Sequence, residues 1–485
     1  MPKSGPGNFP KPQNWLIFLM VAIGIFMATL DGSIVNIALP SIMADFAVPL
    51  ATIQWVTMIY LLTVTSLLLS FGRLSDIKGR RVVYSLGLWI FSLGSFFCGI
   101  APSAHWLIGA RFFQGLGAAM NMACTPALIV DTFPERDRGK AIGMMGSVVA
   151  SGLTAGPALG GLLIHYFSWR AIFYINIPIG LLTGAGVFFL LKGSKADITR
   201  PETFDWPGAA FLTILLGSLL VAITHAYDWG YFSFPVLALT AVSLLAAICL
   251  FYVEFRVEHP ILSRSLFSIR LFSMPILSAV ILFMCLFTIV FLMPFFLIHP
   301  CGYPVNVAGG IMACIFVSLF IVSPFSGALY DRIGSRLLCT LAMGIIAFSL
   351  FSLATIPANA SLYSIIWRLF LGGIGTAVFL PPNSAAAFSA VSPGRRGVAS
   401  ATVAAARNLG MVLGVAVAGA IFNSAFYQLS NGLSLKEYHP ALEDIFMKSF
   451  HFVMMAGGFI AILGMLIAFL RGPEKTGPRN HHFDV

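Results

Sequence analysis

Charge is what this chain has least of. Only 9% of its 485 residues are Asp, Glu, Lys or Arg, whereas 58% are apolar and the mean hydropathy is +0.92. A soluble domain is closer to a quarter charged and half apolar. So little charge excludes a water-soluble globule, because the apolar surface would be too large to bury. We therefore expect a lipid bilayer to be the solvent of this chain.

Chemical motifs are also missing. The seven cysteines lie mostly within apolar runs, at no metal-ligand or disulfide-framework spacing, so we interpret them as small buried hydrophobes. The sequence has no phosphate-binding glycine loop, no paired carboxylates and no metal-ligand cluster. These absences argue against an enzyme, an ATP-driven machine, a bound cofactor and a bound metal.

Fourteen apolar runs are long enough to cross a bilayer, which takes about 20 residues. The N-terminus MPKSGPGNFPKPQNW has Pro and Gly where a signal peptide is apolar, so we expect the first run to be retained as a span. The predicted spans lie near 15–38, 52–71, 82–101, 106–130, 141–165, 170–191, 207–226, 234–255, 274–298, 306–329, 337–357, 361–387, 398–422 and 447–470. The predicted fold class is an all-α integral membrane protein with 14 transmembrane helices.

Lys and Arg are spread unevenly over the loops. Of the 28, 22 lie in the two termini or in loops that follow even-numbered spans, and only Arg170 and Lys436 lie in the opposite loops. The positive-inside rule then predicts a multi-pass protein of the cell inner (cytoplasmic) membrane with both termini in the cytosol. The same asymmetry explains the net charge of +10 without a nucleic-acid partner.

One polar decapeptide occurs twice. GRLSDIKGRR (Gly72–Arg81) returns 255 positions later as GALYDRIGSR (Gly327–Arg336). Three glycines recur 258 positions later: Gly152, Gly156 and Gly161 match Gly410, Gly414 and Gly419. Matches in the same order with a slowly drifting offset indicate an internal duplication.

The duplication predicts three regions. Residues 1–191 form an N-terminal six-helix bundle, 192–273 hold two inserted helices with their linkers, and 274–485 form a C-terminal six-helix bundle and tail. Two like bundles related by a pseudo-two-fold axis along the membrane normal are a transporter architecture, with the substrate site between them.

Several segments resemble signature motifs of the major facilitator superfamily. They are GRLSDIKGRR after span 2, RFFQGLGAAM in span 4 and ASGLTAGPALGG in span 5. LDGSIVNIALP in span 1, SWRAIFYINIPIG near span 6 and the fourteen spans resemble its drug:proton antiporter branch. The resemblance covers the whole chain and implies export of compounds in exchange for protons.

The resemblance assigns the duplicated loop as a conformational latch between the two halves. Its charges can alternatively anchor the loop at the membrane surface. The candidate latch residues are Gly72, Asp76, Gly79, Arg80, Arg81, Asp331 and Arg336. Asp76 is expected to accept hydrogen bonds from a helix N-terminus or to pair with Arg80 or Arg81.

Span 5 carries an array of small residues. Glycines spaced by four lie on one helical face and let a neighbouring helix approach, and proline loosens the helix. The residues are Gly152, Gly156, Pro157, Gly160 and Gly161. The resemblance links this motif to antiport, and plain helix packing is the alternative.

Asp31 is the acidic residue that we place deep within a span. An ionisable group inside the bilayer is expensive and is a functional candidate by default. Asp31 and Arg111 lie at similar depth, roughly 10 and 9 Å from the outer ends of spans 1 and 4 at the helical rise. They are therefore predicted to pair, either as a structural salt bridge or as a proton-coupling site. Burial favours the neutral acid and the cation favours the carboxylate, so changes of access can bind and release a proton.

Other polar span residues are candidates for the substrate cavity, with inter-helix hydrogen bonding as the alternative for each. They are Asn36, Gln54, Tyr60, Gln114, Asn121, Asn383 and Arg407. Arg368 copies Arg111 in the second half without an acidic partner, so Arg368 and Arg407 are expected to meet anionic groups or backbone carbonyls, or to extend toward the interface. This asymmetry weakens the case for a strictly cationic substrate.

Three functions fit these residues. The leading prediction is a proton-coupled exporter of lipophilic or amphipathic compounds, a multidrug efflux protein that works by alternating access. Its partners would be the small substrate, protons and membrane lipids, and an accessory export partner stays open. The alternatives are an exporter of an endogenous lipid or metabolite, and a non-transporting membrane sensor on the same fold.

Overall fold

The structure is a computed structural model that describes residues 12–190, 206–256, 264–392 and 396–472. These ranges hold fifteen α-helices, two single 3₁₀ turns and no β-strand. The helices are α1 Pro12–Phe46, α2 Leu50–Lys78, α3 Arg80–Gly99, α4 Ala104–Thr132, α5 Glu135–Tyr166, α6 Ala171–Tyr174, α7 Asn176–Leu190, α8 Trp206–Trp229, α9 Phe234–Arg256, α10 Arg264–Phe267, α11 Arg270–Ile298, α12 Val305–Leu353, α13 Leu362–Ser389, α14 Arg396–Leu429 and α15 Glu443–Phe469. The 3₁₀ turns are Leu435–Glu437 and Pro440–Leu442.

The predicted all-α membrane fold is confirmed. Within the described ranges, 13 helices are long and apolar enough to cross a membrane. The predicted span that this set lacks is α4, whose 29 residues include Arg111, Gln114 and Asn121, three polar residues that lower its mean hydropathy. Predicted span 6 corresponds to α6 and α7 together, and spans 10 and 11 are the two parts of α12, which a kink at Gly334 separates.

Glycine makes the same turn in both copies of the decapeptide. Gly79 links α2 to α3 with φ +93°, and Gly334 interrupts α12 with φ +76°. Residues with a Cβ rarely adopt this left-handed region, whereas glycine does so readily. The 255-residue repeat in the sequence is therefore also a repeat of backbone conformation.

The glycine arrays bring matching helix pairs into close contact. A Cβ on Gly156 of α5 would lie 1.8 Å from Ser33 Oγ of α1, and one on Gly414 of α14 would lie 2.5 Å from the Met284 carbonyl oxygen of α11. Gly152 and Gly160 face α1 in the same way. The predicted single glycine face of α5 is thus occupied by α1, and α14 repeats the arrangement on α11.

The two halves meet at one end of the bundle, which we call the Gly161 end; the opposite end is the Gly79 end. A Cβ on Gly161 would lie 2.8 Å from the Val305 carbonyl oxygen of α12, and one on Gly419 would lie 1.7 Å from Gln54 Oε1 of α2. These crossings are equivalent under the duplication, because α12 begins with the copy of α2. The halves therefore pack closely at the Gly161 end.

The division into three regions stays a prediction. Helices α8 and α9 of the predicted insertion pack on each other, and α8 also contacts α2 and α14. The predicted cytosolic N-terminus before Pro12, most of the first linker and the tail after Gly472 lie outside the described residues.

Candidate functional site

Asp31 and Arg111 form a fully buried ion pair. Both side chains are 0% exposed, and Arg111 Nη1 donates to Asp31 Oδ2. The other carboxylate oxygen, Oδ1, accepts from Gln114 Nε2 at 2.9 Å and from Asn176 Nδ2 at 3.2 Å. The pairing that depth alone predicted is therefore present, and its part in proton coupling stays a prediction.

The guanidinium of Arg111 is held on several sides. Its Nε donates to the Val56 carbonyl oxygen at 3.0 Å and its Nη1 to Gln114 Oε1 at 2.6 Å. The ring of Tyr60 lies 4.2 Å from its Cζ atom in a cation–π contact, and Gln114 is itself anchored on Ser95 Oγ at 2.8 Å. Such additional bonds stabilise a buried ion pair, and among the guanidinium nitrogens of Arg111 only Nη2 makes no hydrogen bond with the described residues.

Asn176 was not among the predicted site residues. It opens α7, is 1% exposed and adds a third donor to Asp31. Its signal in the sequence was modest: it is the one amide side chain in predicted span 6. Only folding shows that α7 turns this residue toward α1.

A cavity lies between the two halves, beside the ion pair. Its lining comes from both halves: Ala28, Thr29, Gly32, Tyr60, Leu61, Val64, Met122, Val149, Leu153, Phe287, Arg407, Asn408 and Met411. The cavity volume is about 20 Å³. That is room for one or two waters, so a larger ligand needs the halves to move apart. Tyr60 belongs to both sites, because its ring contacts Arg111 and the residue is part of the cavity lining.

Two of the predicted cavity residues, Tyr60 and Arg407, line this cavity. Gln114 belongs to the ion-pair network, and Gln54 lies at the Gly161 end against Gly419.

The remaining three predicted cavity residues are buried within one half. Asn36 of α1 accepts from Thr57 of α2 at 3.4 Å, and Asn121 of α4 packs against Gly87 of α3. Asn383 of α13 accepts from Arg471 at 3.0 Å. These placements fit the alternative of inter-helix packing, and a role of these residues in transport stays a prediction.

The predicted latch is organised around Arg80. Its guanidinium donates to Asp76 at 2.9 and 3.0 Å and to Asp131 at 2.5 Å, so it joins the ends of α2, α3 and α4. Pairing of Asp76 with Arg80 was one of the predicted arrangements, whereas Asp131 was not predicted as a partner. Gly72 and Gly79 lie on either side of Asp76 in the chain.

The other latch residues lie apart from Arg80. Arg81 stacks over the Phe188 ring at 4.2 Å, and Arg336 in the second copy donates to the Phe469 carbonyl oxygen at 2.8 Å. The side chain of Asp331 lies outside the described part of the chain. The described contacts of both arginines are made within one half, so a latch between the halves stays a prediction.

The motif of α5 also reaches the second half. A Cβ on Gly309 of α12 would lie 2.3 Å from the Pro157 carbonyl oxygen and 3.1 Å from Gly161 Cα. Thr154 donates to the Phe316 carbonyl oxygen of α12 at 3.3 Å. The α5 motif thus serves two contacts, one with α1 inside its own half and one with α12 across the interface.

Comparison with known proteins agrees with this architecture. A family model described as Major Facilitator Superfamily matches residues 21–206, 206–415 and 316–484. The chain is 32% identical over 466 residues to the riboflavin transporter RibZ of Clostridioides difficile. That alignment covers 96% of this chain and 99% of RibZ. It is 33% identical over 412 residues to the multidrug resistance protein Stp of Mycobacterium tuberculosis, covering 84% of this chain and 75% of that one. The multidrug transporter MdtP of Bacillus subtilis is 29% identical over 452 residues, 93% of this chain and 82% of its own.

A solved structure shares the fold. It is a bacterial homologue of the human lysosomal transporter Spinster, in an inward-facing and unoccupied conformation. The TM-score is 0.71 at 17% sequence identity, covering 96% of this chain and 98% of the other.

Proposed function

Because the chain belongs to the major facilitator superfamily, is of its drug:proton antiporter type, and is a transport protein rather than an enzyme, we propose that it exports lipophilic or amphipathic compounds in exchange for protons. The observation that carries the proposal is the buried Asp31–Arg111 pair, which shares Tyr60 with the cavity between the halves.

The chemistry required of Asp31 is reversible protonation. In the described state both carboxylate oxygens accept hydrogen bonds, one of them from Arg111. A movement that withdraws Arg111 or admits water would change these partners and let the carboxyl group exchange a proton. Because Tyr60 contacts both Arg111 and the cavity, a ligand that displaces its ring also disturbs the ion pair.

Alternating access needs two sets of contacts that open in turn. The packed Gly161 end supplies one set. We place the Gly79 end in the cytosol of the cell, on the evidence of the uneven Lys and Arg distribution, so the described state is closed toward the outside. In the opposite state the Gly72–Arg81 loop would hold the halves together, and its strength would set the balance between the states.

A second candidate is export of an endogenous metabolite through the same machinery. The similarity to a protein named as a riboflavin transporter, over 96% of this chain, favours this possibility. The same coupling site serves both candidates, and the substrate distinguishes them.

The test uses the purified full chain in proteoliposomes with an imposed pH gradient and a pH-sensitive dye inside. Lipophilic drugs of different charge and riboflavin are added in turn, and we expect at least one of them to trigger proton movement. Asp31→Asn keeps the side-chain size but cannot take up and release a proton, so this movement is expected to be abolished.

The matched control is Asp45→Asn, on the same helix, where the carboxylate is half-exposed and pairs with Arg170 at 3.1 Å. This variant is expected to transport as the unmodified protein does. If transport by the Asp31→Asn variant still depends on the pH gradient, Asp31 is not the proton-coupling residue. A response to riboflavin alone would favour the metabolite exporter.

A further inference from the structure

Two adjacent residues of the cavity lining have buried hydrogen-bond donors without acceptors. Arg407 and Asn408 lie side by side on α14 and both line the cavity. Within the described residues, Arg407 Nε and Asn408 Nδ2 are buried and make no hydrogen bond. A buried donor left unsatisfied is destabilising, and more so when it is charged. Two such donors at one cavity indicate that something else provides the acceptor.

The cavity also carries an unbalanced charge. Asp31, the buried carboxylate nearest to it, is neutralised by Arg111 on the other side of Tyr60, and the lining contains no carboxylate. Arg407, whose side chain is partly buried, therefore lies at the cavity as a cation without a counter-ion among the described residues. A cation that is withdrawn from water is stabilised by an anionic partner.

Other arginines of the second half show that the fold can satisfy such groups. Arg368 donates to the carbonyl oxygens of Ser352 and Ser364 at 2.9 and 2.7 Å. Arg471, which is 0% exposed, donates to Ser335 Oγ at 2.7 Å and to Asn383 Oδ1 at 3.0 Å. Arg471 leaves its Nε unpaired but uses both Nη atoms, whereas Arg407 lies in the lining of the cavity and no described residue accepts a hydrogen bond from its Nε.

The other residues of the cavity lining indicate the chemistry of the rest of the ligand. Tyr60 already donates its hydroxyl proton to the Ala28 carbonyl oxygen at 3.0 Å, and Thr29 donates to that of Ile25 at 2.8 Å. The remaining surface is largely apolar and includes Phe287, Met411 and Leu153. An apolar surface with two adjacent donors at one side fits an amphipathic molecule with an acceptor at one end.

We propose that the transported molecule is an amphipathic organic anion, whose carboxylate, phosphate or sulfonate group is bound by Arg407 and Asn408. Its apolar body would pack against Tyr60 and Phe287. This rests on the proposed transport function and narrows its substrate class. The anion can belong to a soluble organic acid or to the head group of an acidic phospholipid, and both present the same chemistry to Arg407.

The test compares two fluorescent probes that differ in one charge. Dansylglycine is an anion at neutral pH, and dansylglycinamide is its neutral analogue. Binding of each is measured by dansyl fluorescence with the full chain in phosphatidylcholine nanodiscs. We expect the protein to bind the anion about tenfold or more tightly, since hydrogen bonds to charged groups are the stronger ones.

Variants assign that preference to the cavity. Arg407→Gln is expected to weaken dansylglycine binding about tenfold or more and to change dansylglycinamide binding less than about twofold. Arg407→Lys should retain most of the preference, because it keeps the positive charge. Asn408→Asp places a carboxylate beside Arg407 and should also weaken anion binding. Arg368→Gln, which changes a span arginine outside the cavity lining, is the matched control and should leave both affinities unchanged.

A further arm identifies the source of the anion. Nanodiscs with phosphatidylglycerol in place of part of the phosphatidylcholine should lower the apparent affinity for dansylglycine if the lipid head group occupies Arg407, and should not if the ligand is a soluble acid. This competition must disappear in Arg407→Gln.

Three results would overturn the proposal. They are equal binding of the two probes by the unmodified protein, binding of neither probe, and an equal loss of both in Arg407→Gln. Any of these, with Asp31-dependent proton movement intact, would reject the anion site and leave the proton-coupled exporter standing.

Discussion

At the scale of single residues, Tyr60 connects two sites of different chemistry. The centroid of its ring lies 4.2 Å from the Arg111 guanidinium carbon, its hydroxyl donates to the Ala28 carbonyl oxygen, and the residue also lines the cavity. A cation–π contact away from water stabilises by about 2 kcal/mol. Tyr60 can therefore link ligand binding to the position of Arg111, and through it to Asp31.

The ring and the hydroxyl of Tyr60 can be separated by substitution. Tyr60→Phe removes the bond to Ala28 but keeps the ring, so substrate-triggered proton movement is expected to stay within a few-fold of the unmodified protein. Tyr60→Leu removes the cation–π contact and should lower it about tenfold or more. Proteoliposomes with an internal pH-sensitive dye measure both variants. Full coupling in Tyr60→Leu would show that the ring does not connect the two sites.

At the scale of helices, the packing of α5 depends on the absence of side chains on one of its faces. Gly152, Gly156 and Gly160 each leave the space that atoms of α1 occupy. In a membrane, helices associate through close packing rather than through the hydrophobic effect, so small residues decide which faces meet. The same array recurs on α14 against α11, which makes each half a tightly packed unit.

A single methyl group should loosen the contact between α1 and α5. In Gly156→Ala the new Cβ would lie 1.8 Å from Ser33 Oγ and 2.9 Å from Ser33 Cβ, so a helix must shift. Overpacking of this kind costs about 1–3 kcal/mol. We expect a lower thermal unfolding midpoint, measured by differential scanning fluorimetry in detergent.

The matched control lies on the same helix. Gly146→Ala places its Cβ where nothing lies within 4 Å, and alanine favours the helix, so its midpoint should be unchanged or higher. Equal midpoints for the two variants would contradict the packing role of Gly156.

At the scale of the whole molecule, the two halves are joined where glycines and carbonyl groups meet. Gly161 and Gly309 bring α5 and α12 together at the Gly161 end, and Gly419 brings α14 onto α2. These contacts are small, so they can separate and re-form with little change inside either half. That is the property that alternating access requires of an interface.

The Gly161 end should open when one of its glycines is replaced. In Gly309→Ala the Cβ would lie 2.3 Å from the Pro157 carbonyl oxygen, across the interface between the halves. The cost of about 1–3 kcal/mol is enough to change the ratio of closed to open molecules roughly fivefold to a hundredfold. The neighbouring Gly310→Ala has nothing within 4 Å of its Cβ and should leave the ratio unchanged.

Double electron–electron resonance spectroscopy measures this opening directly. Spin labels at Phe167→Cys and Tyr363→Cys, two exposed positions of opposite halves at the Gly161 end, report the distance between them in a background without native cysteines. We expect a larger share of long distances in Gly309→Ala than in Gly310→Ala. Identical distributions would show that this contact does not control closure.

Sequence alone determined the features that depend on composition and on position along a helix. Apolar runs predict the spans, because a backbone in lipid must satisfy its own hydrogen bonds as a helix. The repeated decapeptide predicted the two-fold arrangement, and a constant rise per residue placed Asp31 and Arg111 at the same depth. Only the tertiary structure decided which faces meet, because the rotation of each helix about its axis depends on packing with its neighbours. That rotation directs Asn176 toward Asp31, buries Asn36 and Asn383 within their own halves, and places Arg407 in the lining of the cavity.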